Sequence, residues 1–300
     1  MATQQGTVVV GVDGSEASRA AIALGAREAR LHGHRLRLVH AFVWPLLGVH
    51  LGPSPEGPAD GGLAADADRV LAGALAHAAA VDPDLPVAGE VVTGNVVPVL
   101  LAEAERAALV VVGDRGLGGF AGLLVGSVAI QVVAHARGPV LVARGAADAT
   151  DAGGPVVVGV DGSANSAEAV EFGFAEAAAR GAELVALRSW SGRLPQEQEQ
   201  ELPLIYDVDD VLAEQARRLA GWVAPARARF PGVIVHEQAR HGRPARALVE
   251  ASATAQLVVV GARGRGGFAG LLLGSVSQAV LHHAGCPVAI VPAATGGEQA

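Results

Sequence analysis

The sequence predicts two tandem α/β domains, each a doubly wound parallel sheet, and three observations predict it. The first is a repeat. GDRGLGGFAGLLVGS at Gly113–Ser127 returns as GARGRGGFAGLLLGS at Gly261–Ser275, and GVDGS at Gly11–Ser15 returns at Gly159–Ser163. Both pairs lie at one offset of 148 residues, as do Gly94 with Gly242 and Pro139 with Pro287. Self-similarity at a fixed offset marks a duplicated structural unit. The second is a set of short, continuous apolar runs such as Thr7–Val12 and Leu109–Val112, which suit strands buried on both faces. The third is the helical spacing between those runs, because alternating strand and helix gives a parallel sheet.

The elements follow in order. In the first copy, strands fall at Thr7–Val12, Arg35–Val43, Leu85–Val92, Leu109–Val112 and Pro139–Ala143. Helices fall at Ser15–Leu31, Leu63–Ala80, Val96–Ala107 and Ser127–Ala136. Ser15 is placed to cap the first helix and Arg30 sits in its last turn. Pro98 is tolerated in the first turn of the third. Trp44–Gly62 is a Pro/Gly-rich loop. The second copy has strands near Val156–Val160, Glu183–Arg188, Val233–Ala239, Leu257–Val260 and Val288–Val291, and a long helix over Asp209–Arg229. A linker rich in Gly, Ala and Asp, Gly145–Gly154, divides domain 1 (residues 1–147) from domain 2 (residues 155–300).

Bulk composition narrows the function. The 300 residues suit two domains of ordinary size. The hydrophobic fraction of 51% is mostly Ala, Val and Leu, and aromatics make up only 3%, which suits close helix-on-sheet packing. A net charge of −8 argues against nucleic acid as a partner. All 22 basic residues are arginine. A P-loop NTPase needs a lysine, so that class is excluded. One cysteine, Cys286, rules out an internal disulfide framework and a Cys-based zinc site. The N-terminus lacks the basic-then-apolar pattern of a signal peptide. Gly116–Ala134 is uncharged but rich in glycine, so no membrane span is expected and the cytoplasm is the expected compartment.

The spacing Gly-x2-Gly-x9-Gly-Ser occurs twice, each time after a strand-like run ending in Val-Val-Val-Gly. Glycine admits positive φ and close approach of backbone N–H groups, so such a turn can surround a phosphate. Ser127 and Ser275 open the following helices, whose positive ends attract anions. A strand–loop–helix connection needing glycine for shape alone is the competing reading. Ligands of doubly wound sheets sit beyond the strand C-termini. Strands one and four both end in motif residues there, so the two motifs should converge on one cleft. Asp13 and Asp161 follow strand one, either as helix N-caps or as ligand contacts. His135 and His283 fall at helix ends, where a cation suits the dipole. Cys286 reads as a small buried apolar residue.

These residues resemble the universal stress protein family, in its nucleotide-binding branch. The resemblance covers nearly the whole chain as a tandem pair. It rests on GVDGS, on Gly-x2-Gly-x9-Gly-Ser and on the closing His-x3-Pro-Val (His135 with Pro139, His283 with Pro287). It implies Rossmann-like domains with five parallel strands each, ATP as ligand with or without Mg2+, and a role in stress response or dormancy, often as dimers. It assigns the phosphate loop to Gly113, Gly116, Gly126, Ser127 and Val128, and to Gly261, Arg263, Gly264, Gly274, Ser275 and Val276. Asp13 and Asp161 would meet ribose hydroxyls or a metal. Ala41 and Ser189 would read adenine through their main chain.

The copies differ in charge. Asp114 stands where the second copy has Ala262, Leu117 where it has Arg265, and Ala129 where it has Ser277. Tighter anion binding is therefore expected in the second copy. His40 and Arg188, before Ala41 and Ser189, read as flanking groups. The function expected is an ATP-binding regulator, not an enzyme. Slow ATP hydrolysis or adenylyl transfer is the enzymatic alternative, and a scaffold with a structural nucleotide the other. The last strands, Pro139–Ala143 and Pro287–Val291, are apolar edges expected to pair the halves as a pseudo-dimer, with a homodimer also open.

Overall fold

A computed structural model describes residues 6–43, 62–116, 124–144, 153–191, 208–265 and 272–293. The chain divides into two compact units, Met1–Ala147 and Asp148–Ala300. The loop expected over Trp44–Gly62 lies outside the described residues apart from Gly62. So do most of the linker and the centres of both glycine-rich segments.

The first unit runs β1 (Thr7–Gly11), α1 (Glu16–His32), β2 (Arg35–Phe42), α2 (Leu63–Val81), β3 (Val87–Thr93), α3 (Val96–Ala104), β4 (Leu109–Gly113), α4 (Ser127–His135) and β5 (Val140–Ala143). Its strands are all parallel, in the order β3-β2-β1-β4-β5. Val8 stands opposite Leu36 on one side and Leu109 on the other. Val8, Val9 and Val10 are at most 1% exposed, as a strand covered on both faces requires. Burying such a side chain fully contributes about 1.5–3 kcal/mol. The second unit repeats the plan with β6 (Val156–Gly159), α5 (Ala164–Arg180), β7 (Leu184–Trp190), α6 (Val208–Arg229), β8 (Val235–His241), α7 (Pro244–Ala251), β9 (Leu257–Gly261), α8 (Ser275–His283) and β10 (Val288–Val291). Its order is β8-β7-β6-β9-β10, again parallel. Two tandem Rossmann-like domains are therefore present, as the alternating pattern predicts.

Local chemistry sets the element ends. Ser15 caps α1 by accepting the Ser18 N–H at 3.1 Å, and Ser163 caps α5 through Ser166 at 3.2 Å. Both helices stop at a left-handed glycine, Gly33 (φ 64°) and Gly181 (φ 60°), whose N–H closes the last turn. The third helix is shorter than its pattern, ending at Ala104 and not at Ala107. The Arg106 and Ala107 N–H groups both bond the Glu103 carbonyl, tightening the exit so that β4 can begin. β3 and β8, each an edge strand of its own sheet, are half-buried to exposed along their length. Arg37 on β2 holds Glu90 of β3 and Glu103 of α3, at 2.7 and 3.0 Å. Cys286 is buried and free. His135 Nδ1 donates to the Gln131 carbonyl at 2.8 Å, the helix-end role expected of it. No helix among the described residues is long and apolar enough to cross a membrane.

Candidate nucleotide cleft

Each candidate cleft lies beyond the C-terminal ends of the strands and is organised by an aspartate. Asp161 follows β6. Its Oδ1 accepts the Ser163 N–H at 2.9 Å, and its Oδ2 accepts the Arg265 N–H at 3.0 Å. One carboxylate thereby joins the turn after β6 to the glycine-rich turn after β9. The Asp161 N–H is taken in turn by Ser166 Oγ at 3.1 Å. Asp13 repeats the arrangement, with the Ser15 N–H at 2.9 Å and Ser18 Oγ at 3.3 Å. The intervening glycine of each turn is left-handed, Gly14 at φ 83° and Gly162 at φ 80°. A side chain there would be strained.

The loop glycines serve another purpose. None of Gly113, Gly116, Gly126, Gly261, Gly264 and Gly274 has a positive φ, which corrects the conformational reason expected for them. Close approach is the reason instead. A Cβ on Gly113 would lie 2.8 Å from the Ala17 carbonyl oxygen, and one on Gly261 would lie 2.8 Å from Asn165 Cβ. A Cβ on Gly116 would strike Asp13 Oδ2, and one on Gly264 would strike Asp161 Oδ2. Gly126 and Gly274 differ again. Their backbones are extended, and a Cβ would meet protein only at 3.5 Å, an ordinary contact. The described protein atoms leave room for a side chain at both positions. Their N–H groups close the loop, Gly126 onto the Asp114 carbonyl at 2.7 Å and Gly274 onto the Ala262 carbonyl at 2.9 Å.

α4 and α8 then begin on glycine, with no capping side chain. The contrast with α1 and α5, which serine caps, occurs within one repeat unit. The first-turn N–H groups, at Ser127 and Val128 and at Ser275 and Val276, are turned to the open end of the strands and carry the positive end of the helix dipole.

In the second half these groups line a cavity of about 440 Å³. Small-molecule sites span roughly 300–1,000 Å³. Asp161, Ser189, Gly261, Arg263, Gly264, Gly274, Ser275 and Val276, all expected from the sequence, line it together. Ser189 Oγ donates to the Gly242 carbonyl at 2.9 Å, leaving its strand-end backbone at the cavity wall. In the first half Gly116 lies against Asp13 Oδ2 and Gly126 against Asp114 and Arg115, Ser127 and Val128 open α4 directly after, and Gly113 ends β4 against Ala17. Ala41 stands half-buried in β2, opposite Val92 of β3.

Sequence reasoning missed the apolar wall, Leu187, Pro244, Leu248 and Leu273. Apolar residues on a strand, a short helix or a turn carry no signature distinguishing a cavity wall from core. It also missed Ser18 and Ser166 as holders of the aspartate N–H, although they recur at the repeat offset. Ser277, expected to add a hydroxyl to the second site, donates to the Gly261 carbonyl at 2.7 Å and so ties α8 to β9. His40 Nδ1 donates to the Val12 carbonyl at 2.8 Å, fitting the flanking role expected of it. Arg188, its counterpart, is buried and faces α6, where Gln215 and Trp222 receive it.

Tandem parallel sheets with a glycine-framed helix end at the strand C-termini define a class of doubly wound α/β proteins. The comparisons narrow that class. The family model described as "Universal stress protein family" matches residues 6–144 and again 154–292. A universal stress protein of Mycobacterium tuberculosis strain H37Rv is 38% identical over 309 residues, covering 94% of each chain. One from Mycolicibacterium smegmatis is 38% identical over 306 residues, covering 97% of this chain and 98% of its own. The crystal structure of a universal stress protein from Archaeoglobus fulgidus superposes with a TM-score of 0.69 at 18% identity, covering 97% of this chain and 99% of that one, and shares the fold. The chain belongs to the universal stress protein family.

Proposed function

We propose that the protein binds one adenine nucleotide in each half and acts as a nucleotide-dependent regulator in stress response or dormancy. ATP, with or without Mg2+, is the ligand proposed. The observation that carries this is an uncapped helix end behind a glycine-rich turn, repeated in both halves and opening on a cavity in the second. A phosphate there would accept the first-turn N–H groups that no side chain caps, and charge-assisted bonds of this kind contribute about 1.5–3 kcal/mol when sheltered. The apolar wall of Leu187, Pro244 and Leu248 suits the flat face of a base.

Binding with little or no turnover is the proposed mode. Both oxygens of Asp161 already accept backbone N–H groups, which makes this carboxylate a brace more than a proton acceptor. Calorimetry on the full chain, freed of carried-over ligand, should find two sites for ATP. No heat with ATP, ADP, AMP or cyclic AMP would overturn the reading. Mass spectrometry of nucleotide released from the purified protein identifies the natural occupant, and product formation over hours separates a regulator from a slow hydrolase. Pairing of the two halves through their last strands is part of the same proposal. Cross-linking across Val140–Ala143 and Val288–Val291 tests it.

A further inference from the structure

The two halves pack their first two helices differently. In the second half α6 carries Trp222, whose indole lies so close to Gly162 that a Cβ there would strike the ring. The Arg188 guanidinium sits 4.7 Å from the ring centroid. An aromatic ring thus fills the space between α6 and the start of α5. The repeat puts Ala74 at the position of Trp222, Gly14 at that of Gly162 and His40 at that of Arg188. A Cβ on Gly14 would meet Val70 at 3.6 Å, an ordinary contact. What remains in the first half is a cavity of about 390 Å³ between α1 and α2. That is within the range of small-molecule sites.

The fold does not require this space, since the second half closes it with a side chain of its own. Its walls are amphipathic. Ser18, Ile22 and Ala74 are buried at its base, beside the half-buried Val70. Arg19, Asp66 and Arg69 are exposed at its rim. Arg69 is paired with Asp66, and the second half repeats that pair as Arg217 with Glu214. Arg19 is not repeated, because Ala167 stands in its place. Where the indole is lost, a cation is therefore gained.

We infer that the groove between α1 and α2 is a binding site for a small planar aromatic acid, its ring in the place that an indole fills in the second half and its anionic group toward Arg19. Laying the ring on Ile22, Val70 and Ala74 removes apolar surface from water. Arginine offers the acid a charge and offers the ring a flat cation to stack on. The described lining comes from α1, α2 and Gly14, apart from the turn after β4. The site does not rest on the nucleotide reading above.

Indole-3-acetate and indole are the probes, titrated calorimetrically into the full-length chain with and without saturating ATP. Indole-3-acetate should bind once per chain, more tightly than indole, whether or not ATP is present. Arg19→Gln should weaken indole-3-acetate about threefold, as expected of an exposed charge pair, and leave indole unchanged. Ala74→Trp gives the first half the side chain of the second and should abolish binding of both probes. Should Ala74→Trp fail to fold, Gly73→Leu gives the same decision. Gly73 lines the groove from α2, a Cβ there meets nothing within 4 Å, and leucine suits a helix better than glycine. It should weaken both probes severalfold. No binding of either probe to the wild type overturns the site, as does binding that Ala74→Trp or Gly73→Leu leaves intact. Binding that ATP abolishes places the probe in the nucleotide cleft and overturns it too. Equal affinity of indole-3-acetate in Arg19→Gln and wild type overturns the assignment to an acid.

Discussion

After β4 the first half places Asp114, and after β9 the second half places Ala262. The main chain does the same work at both, since each carbonyl closes the loop onto a glycine N–H. The side chains do not. Asp114 is a mostly buried carboxylate with the Arg115 Nε 3.9 Å away. Ala262 is uncharged, and its loop continues into Arg263 and Arg265 at the cavity. The aspartate close to the loop glycine, the glycines and the uncapped helix are common to both turns. Loop closure rests on backbone groups, so the charges set upon it were free to diverge. Two turns with the same backbone closure therefore carry different charge.

The largest effect should come from removing the close approach at the brace. Gly264→Val drives a side chain into Asp161, and Gly116→Val drives one into Asp13. Each should abolish nucleotide binding in its own half, a loss of a hundredfold or more. Calorimetric stoichiometry should fall from two to one in either variant, and to zero in the double. Two sites persisting in Gly264→Val would break the link between brace and ligand. Next in size is Ser275→Ala, which removes a hydroxyl from the first turn of α8. A lost hydrogen bond of about 1 kcal/mol predicts roughly fivefold weaker ATP binding at the second half. Ser127→Ala should lower affinity at the first half alone, and an effect at the wrong half would invert the assignment.

A smaller change should follow Asp114→Ala, which gives the first loop the side chain of the second. ATP affinity at the first half should rise a few-fold when magnesium is absent. If the carboxylate holds a metal, the gain vanishes with magnesium present. No response in either condition would show that Asp114 faces away from the ligand. The smallest effect concerns pH. His34 of the first half has its pKa lowered, by burial first and then by the nearby charge of His32, and its Nδ1 is buried without a partner among the described residues. The unfolded chain then binds a proton more readily than the folded one. Stability is full above the ordinary histidine value of about 6.5 and falls as pH drops below it. The second half has Ala182 at this position. Thermal melts at pH 7.5 and 5.5 should show a smaller acid-induced drop in His34→Ala than in wild type, and equal drops would rule the histidine out.

Much of this was legible in the sequence because it rests on local pattern. The Val-Val-Val-Gly runs are strands since an all-apolar segment has one stable place, between two layers of helices. Ser15 and Ser163 cap their helices because cap chemistry acts over three residues. The loop residues were legible through their duplication. What stayed hidden depends on elements arriving from far along the chain. Leu248 is a cavity wall only because α7 crosses β6, and Arg188 is a buried cation only because α6 brings Trp222 over it. The reason for Gly116 was hidden likewise, since its constraint is an aspartate more than a hundred positions upstream.

The outer strands carry a last consequence. β3 and β8 each turn one side to solvent, and a bare strand edge is a template on which a foreign chain can add itself. Here that margin is studded with charge. Glu90 stands in β3, while His236, Glu237 and Arg240 stand in β8. Arg37 and Arg227 hold the two glutamates in place from the neighbouring β2 and α6. An incoming strand would have to strip water from those groups without supplying partners for them. A chain that is half hydrophobic by composition is thus guarded against sheet-on-sheet growth at the very margins where its backbone is most open to it.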